Sequence, residues 1–278
     1  MKISFIGGGN MATALIAGLA RMPENIVVTV VEPLAEQRER LMSNAALKAE
    51  SLSLNVIANI SPDVAMGHLA VCDVIVLAVK PQNMQAACAA LAAKHTTALI
   101  VSIAAGTMMS NIATWLANPA ARIVRCMPNT PATLGMGVTG LVGNAYATTQ
   151  DKALAQTIMQ AAGQTLWVET EAMIDAVTAV SGSGPGYVFY LMEALQNAAQ
   201  AQGFTPEQAR FLTEHTFAGS AQLALHTGTP FATLREQVTS KGGTTYAGLE
   251  VLRAVNVAST IELAVSAANK RARDLSSE

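Results

Sequence analysis

Three successive glycines, Gly7-Gly8-Gly9, separate a strand-like run, Lys2-Ile3-Ser4-Phe5-Ile6, from a segment in which Ala14, Leu15, Ala17, Gly18 and Leu19 recur at helical spacing. This commits the N-terminus to a strand, a tight turn and a helix. Gly7, Gly9 and Ala12 then occupy the three positions of the dinucleotide-binding pattern G-x-G-x-x-G/A. Gly7 permits the turn, Gly9 leaves the backbone open to a pyrophosphate, and Ala12 lets the helix pack close to the strand. Phosphates would sit at the helix N-terminus, where unpaired N–H groups and the macrodipole favour negative charge. A glycine turn in an ordinary α/β unit would use the same residues; the flanking pattern favours nucleotide binding.

Lys2 followed by an apolar run to about Ala20 also superficially resembles a signal peptide. Three glycines in its middle fit a helix-forming apolar stretch poorly. No other segment approaches the roughly 18 apolar residues of a membrane span. The expectation is a soluble, cytoplasmic protein.

The 278 residues suit two domains, 1–168 and 169–278. Apolar residues make up 51% and charged ones 13%, so much surface should be buried, including between subunits. Residues 1–168 carry 10 basic and 8 acidic residues (+2), residues 169–278 carry 7 and 11 (−4). Neither half has the basic footprint of a nucleic-acid binder. Cys72, Cys88 and Cys126 form no C-x-x-C pair and read as buried, reduced thiols. His68, His95, His215 and His226 show no metal-ligand spacing, and no metal is expected.

The first half alternates strands with helices. Val27–Val31, Val74–Val79, Leu99–Ile103 and Arg122–Cys126 are short runs apolar on both faces, which predicts a parallel sheet covered on both sides. Polar turns follow the strand ends at Lys80-Pro81-Gln82, Ala104-Ala105-Gly106 and Met127-Pro128-Asn129-Thr130-Pro131. They should line one crevice at the carboxyl ends of the strands. From about Glu169 the pattern turns helical: Pro185 to Gln202, Thr205 to about His226, Ala247 to Leu252 and Val257 to Asn269. Thr205-Pro206-Glu207-Gln208 supplies an N-cap, a proline at N1 and a capping-box glutamine. Asp274 to Glu278 should fray. The fold class is therefore α/β, a Rossmann-like doubly wound parallel sheet followed by an all-α domain.

Two clusters in the helical half invite chemistry: Ser181-Gly182-Ser183-Gly184-Pro185 and Thr239-Ser240-Lys241-Gly242-Gly243-Thr244-Thr245, each before a helix. Freed backbone N–H groups, hydroxyls and a helix N-terminus suit a small carboxylate. An N-cap loop with helix-stopping glycines is the alternative. No Ser-His-Asp order or G-x-S-x-G elbow is present. A hydride transfer asks less of side chains than hydrolysis does, especially onto a protonatable C=N bond.

Phe5-Ile6-Gly7-Gly8-Gly9-Asn10-Met11, Ala78-Val79-Lys80-Pro81, Ser102-Ile103-Ala104-Ala105-Gly106, Met127-Pro128-Asn129-Thr130-Pro131, Ser181-Gly182-Ser183-Gly184-Pro185 and Ser240-Lys241-Gly242-Gly243-Thr244-Thr245 occur in that order. Over essentially its whole length the chain resembles pyrroline-5-carboxylate reductase. The resemblance implies reduction of L-1-pyrroline-5-carboxylate to L-proline with NADPH or NADH. It also implies interleaved dimers, which in many members assemble into decamers. Ile6, Gly7, Gly8, Gly9, Asn10 and Met11, with Ala78, Val79, Lys80, Pro81 and Asn59, would hold the cofactor's phosphates and ribose. Ala104, Ala105, Gly106, Met127, Pro128 and Asn129 would flank the nicotinamide. Ser183, Val238, Ser240, Gly243, Thr244 and Thr245 would bind the substrate, with Thr245 also reaching the ring nitrogen. The chain departs from the common pattern at Lys241 (often proline) and at Pro185-Gly186 (often Pro-Ala). Lys241 either adds charge near the substrate or faces solvent.

Glu32 lies 20 residues beyond Ala12, where an acid can bind the adenosine ribose and repel a 2′-phosphate. NADH should thus be used at least comparably to NADPH; a loop acid before Pro33 is the bland reading. Two other functions remain open. A β-hydroxyacid dehydrogenase would need a catalytic lysine projecting from a helix. A non-catalytic NAD(P)-sensing protein would need no second pocket.

Overall fold

The computed structural model describes residues 1–59, 69, 71–92 and 97–277. The chain forms two compact units, Met1–Ser183 with Ala268–Glu278, and Gly184–Ala267.

Eight strands among the described residues of the first unit make one sheet: β1 (Lys2–Ile6), β2 (Ile26–Val31), β3 (Leu52–Ile57), β4 (Val74–Leu77), β5 (Leu99–Ser102), β6 (Ile123–Met127), β7 (Gly137–Gly143) and β8 (Gly163–Trp167). Their order is β3-β2-β1-β4-β5-β6-β7-β8. The first six run parallel. The fully parallel expectation is corrected at β7, which pairs antiparallel with β6 while β8 runs parallel to β7. A chain leaving β6 through the short turn Thr130–Leu134 can return only antiparallel, because a parallel return needs a crossover. Strands β3, β7 and β8 were not foreseen. In β7 glycines interrupt the apolar pattern, and in β8 every residue is at least partly exposed or small, so neither shows the continuous apolar run of a central strand.

Helices α1 (Asn10–Leu19), α2 (Ala35–Ser43), α3 (Met84–Ala92), α4 (Met109–Trp115), α5 (Thr149–Gln160) and α6 (Glu171–Val177) accompany this sheet. Alternating strand residues feed two apolar cores, because successive side chains point to opposite faces. Ile3, Phe5, Val74 and Val76 join one core, and Ile6, Ile75 and Leu77 join the other. Helix α5 begins with a capping box: Thr148 accepts the Asp151 amide, and Asp151 accepts the Thr148 amide.

The second unit contains α7 (Gly184–Ala201), α8 (Pro206–Thr227), α9 (Phe231–Gln237), α10 (Thr244–Ala254) and the start of α11 (Val257–Ser277). Helix α8 has the expected Thr205 cap, Pro206 and Gln208 capping box, and ends at Gly228 in the left-handed region. Helix α9, too short to show a period, was missed. The frayed C-terminus is also corrected. Helix α11 continues through Ser277, held by Lys270–Asp274 at 2.8 Å and by packing of Ala272, which is buried. No single helix among the described residues is long and apolar enough to cross a membrane; the pair α10 and α11 reaches that length only together, across a 52° bend.

Candidate active site

β1 pairs on both sides with its strand ends level: Ile6 stands opposite Val31 of β2 and Leu77 of β4. The strand order reverses between these neighbours, which opens a crevice at the carboxyl ends. Gly7 turns there with φ +100°, and a Cβ on it would lie 2.7 Å from the Ala78 carbonyl oxygen. No side chain fits, so Gly7 is fixed by both conformation and space. Gly8 is less confined, since a Cβ there would meet side chains only, first Leu41 Cδ1 at 2.6 Å. Gly9 differs: nothing stands within 4 Å of its missing Cβ, and it is the N-cap of α1 with no side chain bonded across the helix end. An open glycine at an uncapped helix N-terminus fits a dinucleotide pyrophosphate.

The other candidate cofactor residues of the first unit gather at the same ends of the sheet. Ala78, Val79, Lys80 and Pro81 follow β4, and the Ala78 amide donates to Ile6 O at 2.8 Å. Ala104, Ala105 and Gly106 follow β5, Met127, Pro128 and Asn129 follow β6, and Asn59 stands two residues past β3. Glu32 follows β2, and only 7% of it is exposed. Its Oε2 accepts the Gly8 amide at 2.8 Å and its Oε1 the Leu34 amide at 2.9 Å. The acid thus anchors the glycine loop. Beside it, Arg38 donates to the carbonyls of Glu32 and Pro33, at 3.0 and 2.7 Å.

The Asn129 side chain is engaged within the protein. Its Nδ2 donates to Ser181 O at 2.9 Å and its Oδ1 accepts the Val138 amide at 2.8 Å. The side-chain amide therefore ties the end of β6 to the start of β7 and to the Ser181 turn. That turn also corrects the sequence expectation. Thr178–Gly182 forms a π-helical turn that leads from α6 to α7, and the Ser183 amide donates to Thr178 O at 2.8 Å. The cluster is therefore a bulge in a nearly continuous helix rather than an N-cap loop. The turn lies against the 127–129 segment, where a Cβ on Gly182 would be 2.9 Å from Met127 Cε.

In the second unit, Ser240, Gly243, Thr244 and Thr245 come together at the start of α10. The Gly243 amide donates to Ser240 O at 3.0 Å, and Gly242 adopts φ +73°. Gly243 is the N-cap, without a side-chain bond across the helix end. Thr245 is thus not the cap, and its hydroxyl makes no hydrogen bond among the described residues. Val238, Ser240, Lys241, Thr244 and Thr245 are all exposed within this single chain.

Sequence reading missed the buried charge beneath the β5 and β6 ends. Arg125 on β6 is fully buried and pairs with Glu171 at 3.2 Å and Asp175 at 3.0 Å, both on α6. The signal was available: an arginine on the inward face of an apolar strand must find partners. His68 and His95 lie outside the described residues. His215 packs edge-on against Phe211, with centroids 4.3 Å apart. Cys88 and Cys126 are buried as expected, but Cys72 is only half-buried.

Residues 171–275 match the family model described as pyrroline-5-carboxylate reductase dimerisation, and residues 2–106 match that described as NADP oxidoreductase, coenzyme F420-dependent. A curated pyrroline-5-carboxylate reductase of Pseudomonas aeruginosa is 41% identical over 279 aligned residues, which cover 100% of this chain and 97% of that protein. The chain belongs to the pyrroline-5-carboxylate reductase family. The solved structure of the Coxiella burnetii family member is 38% identical, with a TM-score of 0.86 over 99% of this chain and 98% of that one. The Plasmodium falciparum enzyme, solved with NADP bound, is 26% identical with a TM-score of 0.78, again over 99% and 98%.

Proposed function

We propose that this chain reduces the C=N bond of L-1-pyrroline-5-carboxylate to give L-proline, the final step of proline biosynthesis, using NADPH or NADH. The observation that carries this reading is family membership over the full length, with the glycine-rich crevice intact at the carboxyl ends of the sheet. When bound, the reduced nicotinamide supplies a hydride to the imine carbon. The ring nitrogen gains one proton as that hydride arrives.

The chain's own residues then have separable tasks. Gly7 to Met11 at the start of α1 receive the phosphates, with Ala78 to Pro81, Glu32 and Asn59 around the ribose. Ala104 to Gly106 and Met127 to Asn129 border the nicotinamide, with Asn129 holding the border in place. Ser240, Gly243 and Thr244 hold the substrate carboxylate, supported by Ser183 and Val238. The Thr245 hydroxyl holds a proton at the ring nitrogen, where water is the competing donor. Positioning and electrostatic preorganisation suffice for such a transfer.

Residues 1–168 are accordingly assigned to cofactor binding, and 169–278 to substrate binding and dimerisation. Helices α7, α9 and α10 bury no residue within one chain, and Phe231, Leu225 and Tyr190 are 82%, 76% and 72% exposed. Such apolar surface supports an obligate homodimer. Further assembly into decamers and a cytoplasmic location complete the proposal, the latter supported by three free thiols.

The β-hydroxyacid dehydrogenase reading finds no support in the lysines: Lys241 lies in a loop, and Lys270 is exposed and paired with Asp274. The test is consumption of NADPH or NADH, followed by absorbance, on addition of pyrroline-5-carboxylate. Stoichiometric proline is the expected product; cofactor binding without turnover would favour a sensing role.

A further inference from the structure

Gly106 is confined by a part of the chain 169 residues away in sequence. It adopts φ +68°, and a Cβ on it would lie 2.9 Å from Leu275 Cβ and 3.2 Å from the Leu275 carbonyl oxygen. The last turn of α11 therefore rests directly on the loop that leaves β5. The next residue, Ser276, places its hydroxyl 3.3 Å from Asp175 Oδ1 and 3.0 Å from Ala272 O.

Asp175 opens a chain of buried contacts that returns to the same loop. It holds Arg125, whose second guanidinium nitrogen meets Glu171 Oε1 at 3.2 Å and Met108 Sδ at 3.7 Å. Glu171 Oε1 also accepts the Met109 amide at 2.8 Å. At the other end of the segment, the Ile103 amide donates to Leu77 O at 3.1 Å. The stretch from Ile103 to Met109 is thus fixed by the sheet at its start and by the Arg125 cluster at its end. Between these two points, Ala104 packs into the core and Gly106 meets the C-terminal turn.

We propose that Leu275 and Ser276 are positioning residues for hydride transfer: the C-terminal turn of α11 is the stop that sets Ala104, Ala105 and Gly106 against the nicotinamide. The proposal rests on the assignment of that loop to the nicotinamide edge. Leu275 acts through its backbone and Cβ on Gly106. Ser276 acts through Asp175 and the ion cluster. Neither needs to touch cofactor or substrate. A loop free to move by about 1 Å at this edge would lower the population of reactive geometries while leaving the phosphate-binding turn untouched.

A purely structural tail would lower stability without changing the chemistry of the folded protein. The full chain is therefore compared with Leu275→Gly, which removes the Cβ, with Ser276→Ala, with the double variant and with the conservative Leu275→Ala, which keeps the Cβ. Amide hydrogen exchange of residues 103–109 is read without substrate, and turnover is read with cofactor deuterated at the transferred position. In the double variant, exchange over 103–109 should rise about 5-fold or more, with β1 and β2 unchanged. The kcat should fall about 5- to 10-fold with a larger deuterium isotope effect and a KM for the imine changed less than about 2-fold. Leu275→Ala, which keeps the Cβ, should retain most of the activity. Unchanged exchange over 103–109, or a kcat loss matched by the unfolded fraction, would overturn the proposal. If the wild-type protein does not turn over the imine, the functional assignment fails instead, and the exchange result still decides whether the C-terminal turn sets this loop.

Discussion

Glu32 and Gly8 are joined by a buried hydrogen bond, the Gly8 amide donating to Glu32 Oε2 at 2.8 Å. An acid at the end of the second strand is usually considered for its effect on the ribose. Here it fixes the glycine turn, so on the proposed cofactor placement one carboxylate would couple cofactor choice to the shape of the phosphate site.

That coupling gives the first prediction. On the proposed cofactor placement Glu32 lies beside the adenosine ribose, and Arg38, held by the carbonyls of Glu32 and Pro33, lies at the same strand end. NADH should be used at least comparably to NADPH. Arg38→Ala should lower kcat/KM for NADPH about 5-fold more than for NADH, through lost phosphate attraction. Glu32→Ser should favour NADPH, and should also cost about 1–3 kcal/mol of stability by leaving buried amides unpaired. Steady-state kinetics with both cofactors and thermal melts check this; a strong NADPH preference unmoved by Glu32→Ser would refute it.

Thr245 is separated from the capping role by Gly243, which occupies the N-cap. Thr245→Ala should melt normally and bind NAD(P)H normally, yet lose about 10-fold or more in kcat/KM, at least about 1.4 kcal/mol of transition-state stabilisation. Thr245→Ser should recover most activity because it keeps the oxygen. Unchanged kcat/KM in Thr245→Ala would remove this loop from the substrate site.

The exposed apolar faces of α7, α9 and α10 predict that no folded, active monomer survives dilution. Sedimentation at low concentration, with activity measured in the same fractions, tests this. Phe231→Glu should weaken association, since burying a charge without a partner costs several kcal/mol. A stable, fully active monomer would show that one chain completes the site.

Asp151 predicts a pH dependence of stability. Burial opposes its ionisation, but the Thr148 hydroxyl and amide and the Arg122 guanidinium outweigh that, so its pKa is lowered in the folded state. The stabilisation is therefore present above the unfolded carboxyl's pKa, about 3.9, and is lost as pH falls through the lower folded value. Asp151→Asn should cost about 1 kcal/mol at neutral pH, most of it from the cap because the Arg122 side is partly solvated. The gap to wild type should narrow as pH falls below the unfolded carboxyl's value, about 3.9. Melts across pH measure it, and a gap independent of pH would contradict the ionic contribution.

The three thiols should differ in reactivity. Burial pushes Cys88 up to about 11 and raises Cys126 further, and both are enclosed. Cys72 is also raised by burial but is half-exposed, with Sγ 3.1 Å from Leu69 O. In the native protein an aromatic disulfide reagent near pH 8 should label Cys72 slowly and alone, because the thiolate is the attacking form. Three thiols should react after denaturation; rapid native labelling of Cys88 would contradict the assignment.

Much of this protein is determined by local sequence. Gly7 to Ala12 set a strand, turn and helix because backbone conformation and steric room act over a few residues. Val74–Leu77 and Leu99–Ser102 declare themselves central strands because both faces must be apolar. Thr205 to Gln208 specify a helix start through hydrogen bonds three residues apart. The grouping of Lys80, Ala104 and Met127 at one edge followed from parallel strands alone.

Only tertiary structure decided the rest, for one physical reason: these features depend on partners distant in sequence. The antiparallel turn into β7, the use of Asn129 to bind Ser181, and the π turn at Thr178–Gly182 each answer to contacts across the fold. Arg125 on an apolar strand demands partners, but which ones only the fold decides, since they lie 46 and 50 residues away. The C-terminal residues look polar and frayed as sequence, yet form helix because Asp175 and Gly106 offer them a surface. Local propensity determines which segments fold into which element; long-range packing determines which side chains are left free for chemistry.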